Sequence, residues 1–198
     1  DFENCFEFRY SDFEFSLSGH SKWSTIKRKK EATDAKKGRM FSKLSKVIEI
    51  AAKKGADPKT NISLKTAIDN ARSYNMPTAN IDRALKKGSG HGEGASALEE
   101  VVYEAYGSGG VAIIITAVTD SKNRTVSEIK HILTLHGASL SGAGSVKWMF
   151  EAKFENGEMK WHPKQTIQLS EEDENKLTAL FSDLDEQEDI SEVFTNSI

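Results

Sequence analysis

The chain has 198 residues, 37% of them hydrophobic and 29% charged, with a formal net charge of −3; that is enough for one large domain or two small ones. A single cysteine, Cys5, excludes an intrachain disulfide and a cysteine-based zinc site, and fits a reducing compartment. The longest apolar run, residues 111–118, is of strand length, far short of the ~20 residues of a membrane-spanning helix, so no membrane association is expected.

Residues 1–18 are acidic and rich in phenylalanine: Phe2, Phe6, Phe8, Phe13 and Phe15. They have neither the basic, acid-poor composition of a transit peptide nor the basic-then-apolar order of a signal peptide. This stretch is read as a leader, disordered or upstream of the native start. From Ser21 the pattern turns helical, with Trp23 and Ile26 on one face. Gly38 is expected to interrupt this first helix. Met40, Phe41, Leu44, Val47, Ile48 and Ala51 then follow the 3.6-residue period, and Gly55 with Asp57-Pro58 ends that helix. Leu64, Ala67, Ile68 and Ala71 mark the next helix. Pro77 suits the first turn of a short last one running through Ile81, Ala84 and Leu85 to Gly88. Residues 19–88 therefore predict a basic helical bundle. The Gly-rich residues 89–97 read as a linker, and match neither phosphate-loop nor dinucleotide-loop spacing.

The second half changes period. Residues 101–106 and 111–119 are β-branched and aromatic runs joined by Gly107-Ser108-Gly109-Gly110, which predicts a hairpin. A helix follows to about His136, with Thr125 and Glu128 as a capping box at its start. Residues 146–150 and 160–169 are expected strands, the latter at an edge because it contains Pro163. Ser170 and Asp173 open a last helix with Leu177, Leu180, Phe181 and Leu184 inward, and residues 193–195 add a final strand. The order predicts an α+β domain over residues 98–198, with a largely antiparallel sheet and helices on one face.

Charge is segregated along the chain. Residues 20–90 carry 18 basic and six acidic side chains, a net of +12, whereas residues 151–198 carry four and thirteen, a net of −9. A positive field of that density seeks phosphate backbones or acidic surfaces. Lys27, Arg28, Lys29 and Lys30 sweep about 300° of a helix circumference, so one salt-bridge pattern cannot neutralise them all. Lys36, Lys37, Arg39 and Lys43 continue the run, and such contacts give affinity and salt dependence rather than sequence choice. Trp23 can stack on an exposed base or anchor the bundle. Lys122 and Arg124, at a helix start beside free backbone N–H groups, form a second anion-binding candidate. The Gly107–Gly110 turn is expected nearby. The histidines show no H-x-x-x-H spacing, and no nucleophile–base–orienter set appears, so neither a metal nor a catalytic site is expected.

The stretch Gly19-His20-Ser21-Lys22-Trp23, then Asp34-Ala35-Lys36-Lys37-Gly38-Arg39 and Phe41-Ser42-Lys43-Leu44, resembles the YebC/PmpR family, which includes mitochondrial translational activators of cytochrome oxidase. Asn75-Met76-Pro77 with Asn80-Ile81, Tyr103-Glu104, Tyr106-Gly107, Gly109-Gly110, Asp120, Asn123-Arg124-Thr125 and Gly144-Ser145-Val146 continue the likeness in order. The resemblance implies a helical first domain and two α/β lobes, the third inserted within the second, and no enzyme activity. It implies either DNA-binding transcriptional regulators or translation factors at the ribosome. There are two departures. Leu17 stands where family members begin with Met, which suggests an alternative start codon with residues 1–16 as upstream read-through. The inserted lobe is missing near residues 151–154, with Glu151-Ala152-Lys153 as the junction.

Together these readings predict a non-enzymatic nucleic-acid-binding regulator of gene expression, without cofactor, metal or small-molecule substrate. The candidate contacts are His20, Lys22, Trp23, Lys27, Arg28, Lys29, Lys30, Lys36, Lys37, Arg39, Lys43, Lys122 and Arg124. A broad, sequence-indifferent basic face favours a ribosome-associated translation factor on ribosomal RNA. A transcriptional regulator on duplex DNA is the alternative, and an enzyme of unrecognised type comes last. The expected location is the cytoplasm, or the mitochondrion for a eukaryotic chain.

Overall fold

The structure, a computed structural model, describes residues 34–90 and 98–198. The leader, His20, Lys22, Trp23, Lys27, Arg28, Lys29, Lys30 and most of the linker lie outside the described residues.

Among the described residues of the first domain there are three helices: α1 (Asp34–Lys53), α2 (Ile62–Ser73) and α3 (Thr78–Gly88). Their apolar stripes meet as the periodicity requires. Leu44, Ile48 and Ala51 of α1 pack on Leu64, Ala67, Ile68 and Ala71 of α2 and on Ile81 and Ala84 of α3. Asn61 joins two helix ends. Its Oδ1 accepts from the Leu64 N–H at 3.0 Å, and its amide donates to Ala51 O at 2.8 Å and Gly55 O at 2.7 Å. Contrary to the sequence reading, Gly38 does not interrupt α1. It faces open space, so its missing side chain removes no packing and costs only helix propensity.

The second domain is built on a four-stranded sheet of order β3-β1-β2-β6, with every strand pair antiparallel. Strands β1 (Glu99–Tyr106) and β2 (Ala112–Thr119) form the expected hairpin; β3 (Ser139–Ser141) and β6 (Ile190–Thr195) flank it. On one face Ala105, Ile113 and Ile115 pack against α4 (Lys122–Leu135) and α5 (Glu171–Glu186) through Ile129, Leu133, Leu180, Phe181 and Leu184. On the other face Ala112 and Ile114 are covered by Val146 and Phe150, with Trp161 partly buried beside them. Val118 of that face also meets Ile50 of α1 and Leu98, which seats the helical domain on the sheet.

Several details differ from the sequence reading. The expected strand 146–150 does not form, and only its last residue, Phe150, is in a strand: Lys147–Met149 is a single 3-10 turn. The cause is Glu104, 3% exposed, whose carboxylate accepts the N–H groups of Gly144, Val146 and Lys147 at 2.7, 2.7 and 2.9 Å and so withdraws them from any ladder. Burial alone would raise the Glu104 pKa, but these three backbone donors outweigh it and hold the pKa below its ordinary value. Next comes a separate hairpin, β4 (Phe150–Glu155) and β5 (Glu158–Pro163), turning at Asn156-Gly157. The expected strand 160–169 therefore starts earlier and ends at Pro163, which has no N–H for the ladder. The Thr125–Glu128 capping box does not form. Helix α4 starts earlier, after Ser121, which leaves Thr125 fully buried inside it.

Gly88 sits where α3 crosses α1: a Cβ there would collide with Glu49 O and lie 2.8 Å from Ala52 Cβ. Gly88→Ala is expected to destabilise the protein by about 1–3 kcal/mol through overpacking, read as a lowered urea midpoint. An unchanged midpoint would mean that α1 and α3 separate freely.

Candidate nucleic-acid interface

Helix α1 presents different chemistry on each side. Arg39, Lys43, Lys46, Ile50 and Lys53 recur at i+4, i+7, i+11 and i+14, one continuous stripe at 3.6 residues per turn. That stripe faces the second domain. Arg39 lies 3.7 Å from Glu186, and Lys43 donates to the carboxylate of Asp185 at 3.3 Å and to its backbone carbonyl. Lys46 pairs with Asp189 at 2.5 Å, and Lys53 donates to Leu98 O at 2.7 Å. Next to the stripe, Lys54 lies 3.8 Å from Glu100. Two of the predicted phosphate contacts, Arg39 and Lys43, are thus engaged with acids at the end of α5, and the Lys43 side chain is only 10% exposed.

Asp189 is the centre of this seam. It is 3% exposed and accepts from Lys46, from Thr125 Oγ1 at 2.6 Å, from Arg124 at 3.0 Å and from Thr119 Oγ1 at 3.3 Å. Burial alone would raise its pKa. The hydrogen bonds from Lys46, Thr125 and Arg124 outweigh burial and hold the carboxyl far below the usual carboxylate range.

The second predicted anion site is also internally paired. Lys122 meets Glu99 at 2.6 Å, and Arg124 bridges Asp120 at 2.9 Å and Asp189 at 3.0 Å. The Gly107–Gly110 turn is not its neighbour. It lies at the opposite end of β2, where a Cβ on Gly109 would meet Leu169 at 2.7 Å. Strand direction decides this, because eight residues of β2 separate that turn from α4.

Lys37 is exposed, and the Lys36 side chain lies outside the described residues. Other cations share the helical domain's exposed surface: Lys59, Lys65, Arg83 and Lys86. Among the described residues none of these four, nor Lys37, has an acidic partner. The sequence reading stopped at Lys43 and passed over them because they are dispersed, although each lies outside an apolar stripe. Lys46 and Asp189 were also missed. The i, i+4, i+7 spacing of Arg39, Lys43 and Lys46 was the available signal for a second buried face on α1.

Comparison with known proteins agrees with the order of these motifs. The profile described as "TACO1/YebC protein N-terminal domain" matches residues 21–91, and that of the "TACO1/YebC second and third domain" matches residues 98–155 and 151–197. The "Probable transcriptional regulatory protein Teth39_1009" of Thermoanaerobacter pseudethanolicus is 41% identical over 238 aligned positions, covering 91% of this chain and 96% of the relative. That alignment is longer than the chain's 198 residues. A "Probable transcriptional regulatory protein" of Chlorobaculum parvum is 57% identical over 138 positions, 69% of this chain and 55% of the relative. The crystal structure of the conserved hypothetical protein Aq1575 of Aquifex aeolicus superposes with a TM-score of 0.78 at 32% identity, covering 90% of this chain and 97% of that one.

Asp189 sets a pH response. A carboxyl with a depressed folded pKa adds stability that is complete above its unfolded value, about 3.9, and is lost as the pH falls below that value toward the folded one. Asp189→Asn is expected to cost about 3 kcal/mol at pH 7, because it leaves Lys46 and Arg124 without their buried counter-charge, and to flatten the loss of stability in acid. Urea melts followed by tryptophan fluorescence on both sides of pH 4 test this. An acid response unchanged by the substitution would remove Asp189 from the centre of the seam.

Proposed function

The chain belongs to the TACO1/YebC family, and we propose that it is a non-enzymatic nucleic-acid-binding regulator of gene expression, acting at the ribosome as a translation factor. The observation that carries this reading is the surplus of exposed cations on the helical domain. Lys37, Lys59, Lys65, Arg83 and Lys86 face solvent without acidic partners among the described residues, while Glu186 and Asp185 at the end of α5 and Asp189 just after it are occupied by Arg39, Lys43 and Lys46. Four of these five are lysines, point charges that suit phosphates and read no base edge. Lys22, Lys27, Arg28, Lys29 and Lys30 would add to the same field, and structured RNA presents the broad backbone surface it fits. In this reading the protein works in the cytoplasm, or in the mitochondrion of a eukaryote.

Duplex DNA is the second reading, supported by the names of the relatives as probable transcriptional regulatory proteins. We also read the meeting of the two profile segments at residues 151–155 as the position of a lobe that this chain lacks.

Co-sedimentation with ribosomes at physiological salt, with duplex DNA in excess as competitor, separates the two readings. Retention is expected, and transfer to the DNA would select the transcriptional reading. Replacing Lys59, Lys65, Arg83 and Lys86 by alanine is expected to weaken binding and to flatten the dependence of log affinity on log salt by about 0.7–0.9 for each phosphate left without its cation. A slope unchanged by the quadruple variant would exclude this face from binding.

A further inference from the structure

The β4–β5 hairpin leaves one edge open. Strand β4 pairs with β5 and with no other strand among the described residues, and its residues 151–155 are all exposed. Strand β5 is placed differently, because Lys160 reaches Glu192 of β6. An uncovered edge is a template for another strand, and proteins blunt such edges with prolines, bulges or covering segments. β4 contains no proline, and its ladder shows no register shift.

Ladder parity identifies the groups on that edge. The turn has two residues, so Glu155 and Glu158 form a hydrogen-bonded pair, and bonded and non-bonded pairs alternate from there. The Lys164 N–H donates to Met149 O at 2.9 Å, in step with that alternation. Phe150, Ala152 and Phe154 therefore turn their backbone groups outward. The Phe150 N–H is taken by Lys147 O. Its carbonyl, and the N–H and C=O of Ala152 and Phe154, have no partner among the described residues. The same three residues carry the apolar face of the strand, where Phe154 is 65% exposed and Met159, across from it on β5, is 49% exposed. Glu151 and Lys153 project from the opposite face.

A second β4, antiparallel and related by a two-fold axis, meets these groups in two equally bonded registers. With Ala152 opposite Ala152 of a second copy, Glu151 faces its Lys153, Lys153 faces its Glu151, and Phe154 lies opposite its Phe150. With Lys153 opposite Lys153, like charges meet there and again where Glu151 faces Glu155. Opposite charges directly across strands stabilise pairing and like charges oppose it, so the strand is complementary to itself in the first register.

We propose that β4 is a homodimer interface, at which two copies join these strands about a two-fold axis at Ala152 and merge their hairpins into one four-stranded sheet. The Glu151–Lys153 contact within one strand, 3.2 Å long and exposed, is exchanged for two such contacts between copies. None of the unpaired cations of the proposed nucleic-acid face takes part, so the two readings stand or fall separately.

Sedimentation equilibrium of the full chain over a range of concentrations tests this, and a monomer–dimer equilibrium is expected. Glu151→Lys and Lys153→Glu each set like charges opposite one another twice, and each is expected to weaken the dimer about tenfold. Combining the two restores complementarity and the affinity. An equimolar mixture of the two single variants is expected to associate more tightly than either alone, because each then faces the opposite charge. Both side chains are exposed, so the urea midpoints should not move. A chain that stays monomeric at every concentration overturns the proposal. So does a dimer indifferent to the single reversals, or a double variant that associates no better than the single ones.

Discussion

The arrangement of the two domains depends on one buried carboxylate. Asp189, at the turn between α5 and β6, draws Lys46 of α1, Thr125 and Arg124 of α4 and Thr119 of β2 onto a single side chain. Its Oδ1 takes the cation of the helical domain and its Oδ2 the donors of its own domain, so one group is shared between two cores. Its backbone carbonyl also accepts from the Val118 N–H at 2.7 Å, which fixes the seam to the sheet at the residue that packs on Ile50 and Leu98. Apolar contact and ion pairing therefore meet at the same place. The small apolar patch supplies adhesion, and the charges supply register, because Lys46 has its buried counter-charge in one position only.

That seam changes what the charge segregation means. A basic first domain and an acidic C-terminal end look, from composition, like a surface addressed to an outside partner of opposite sign. Part of each sign is instead neutralised by the other: Arg39, Lys43 and Lys46 by Glu186, Asp185 and Asp189. Isolated surface pairs such as Arg39–Glu186 contribute little, but Lys46–Asp189 is largely shielded from solvent and screened less by salt. The cations left over on the helical domain are exposed and have no acidic partner among the described residues. The nucleic-acid reading therefore rests on that remainder.

What the sequence made legible follows from which forces are local. The apolar stripes of α1, α2 and α3, the β1–β2 hairpin and the inward face of α5 depend on periodicity, and all were readable residue by residue. The turn at Lys147–Met149 was not, because its cause is Glu104, roughly forty residues away, whose carboxylate takes three backbone donors at once. The likeness to a family had flagged Tyr103-Glu104, Tyr106-Gly107 and Gly144-Ser145-Val146 as separate motifs. In space they are one feature, closed further by Tyr106 Oη donating to Ser145 O at 2.8 Å. The seam escaped for a related reason: a lysine facing a phosphate and a lysine facing a distant aspartate look alike in sequence. Asn156-Gly157, by contrast, is a strong local hairpin signal, and the search for alternating strands passed over it.

That hairpin explains how the second domain closes. Asn156 and Gly157 take φ values of 52° and 88°, the left-handed pair that a two-residue turn between twisted strands requires. Strands β4 and β5 then pair without a break from Phe150↔Pro163 to Glu155↔Glu158, so each strand is laddered to the other along its whole length. Residues 151–155, where the two profile segments overlap, lie inside β4, which runs unbroken through them. The base of the hairpin is anchored by Phe150 and Trp161 on the sheet. Its tip reaches the helical domain, where Ser63 Oγ donates to Gly157 O and Thr66 Oγ1 to Asn156 O. A Cβ on Gly157 would lie 2.8 Å from Ser63 N, so the approach is backbone against backbone and leaves no room for a side chain. The helical domain is thus held at α1 by the charged seam and at α2 by the hairpin tip. Two attachments on different helices resist rotation about either one, and together they hold the helical domain in one orientation on the second domain.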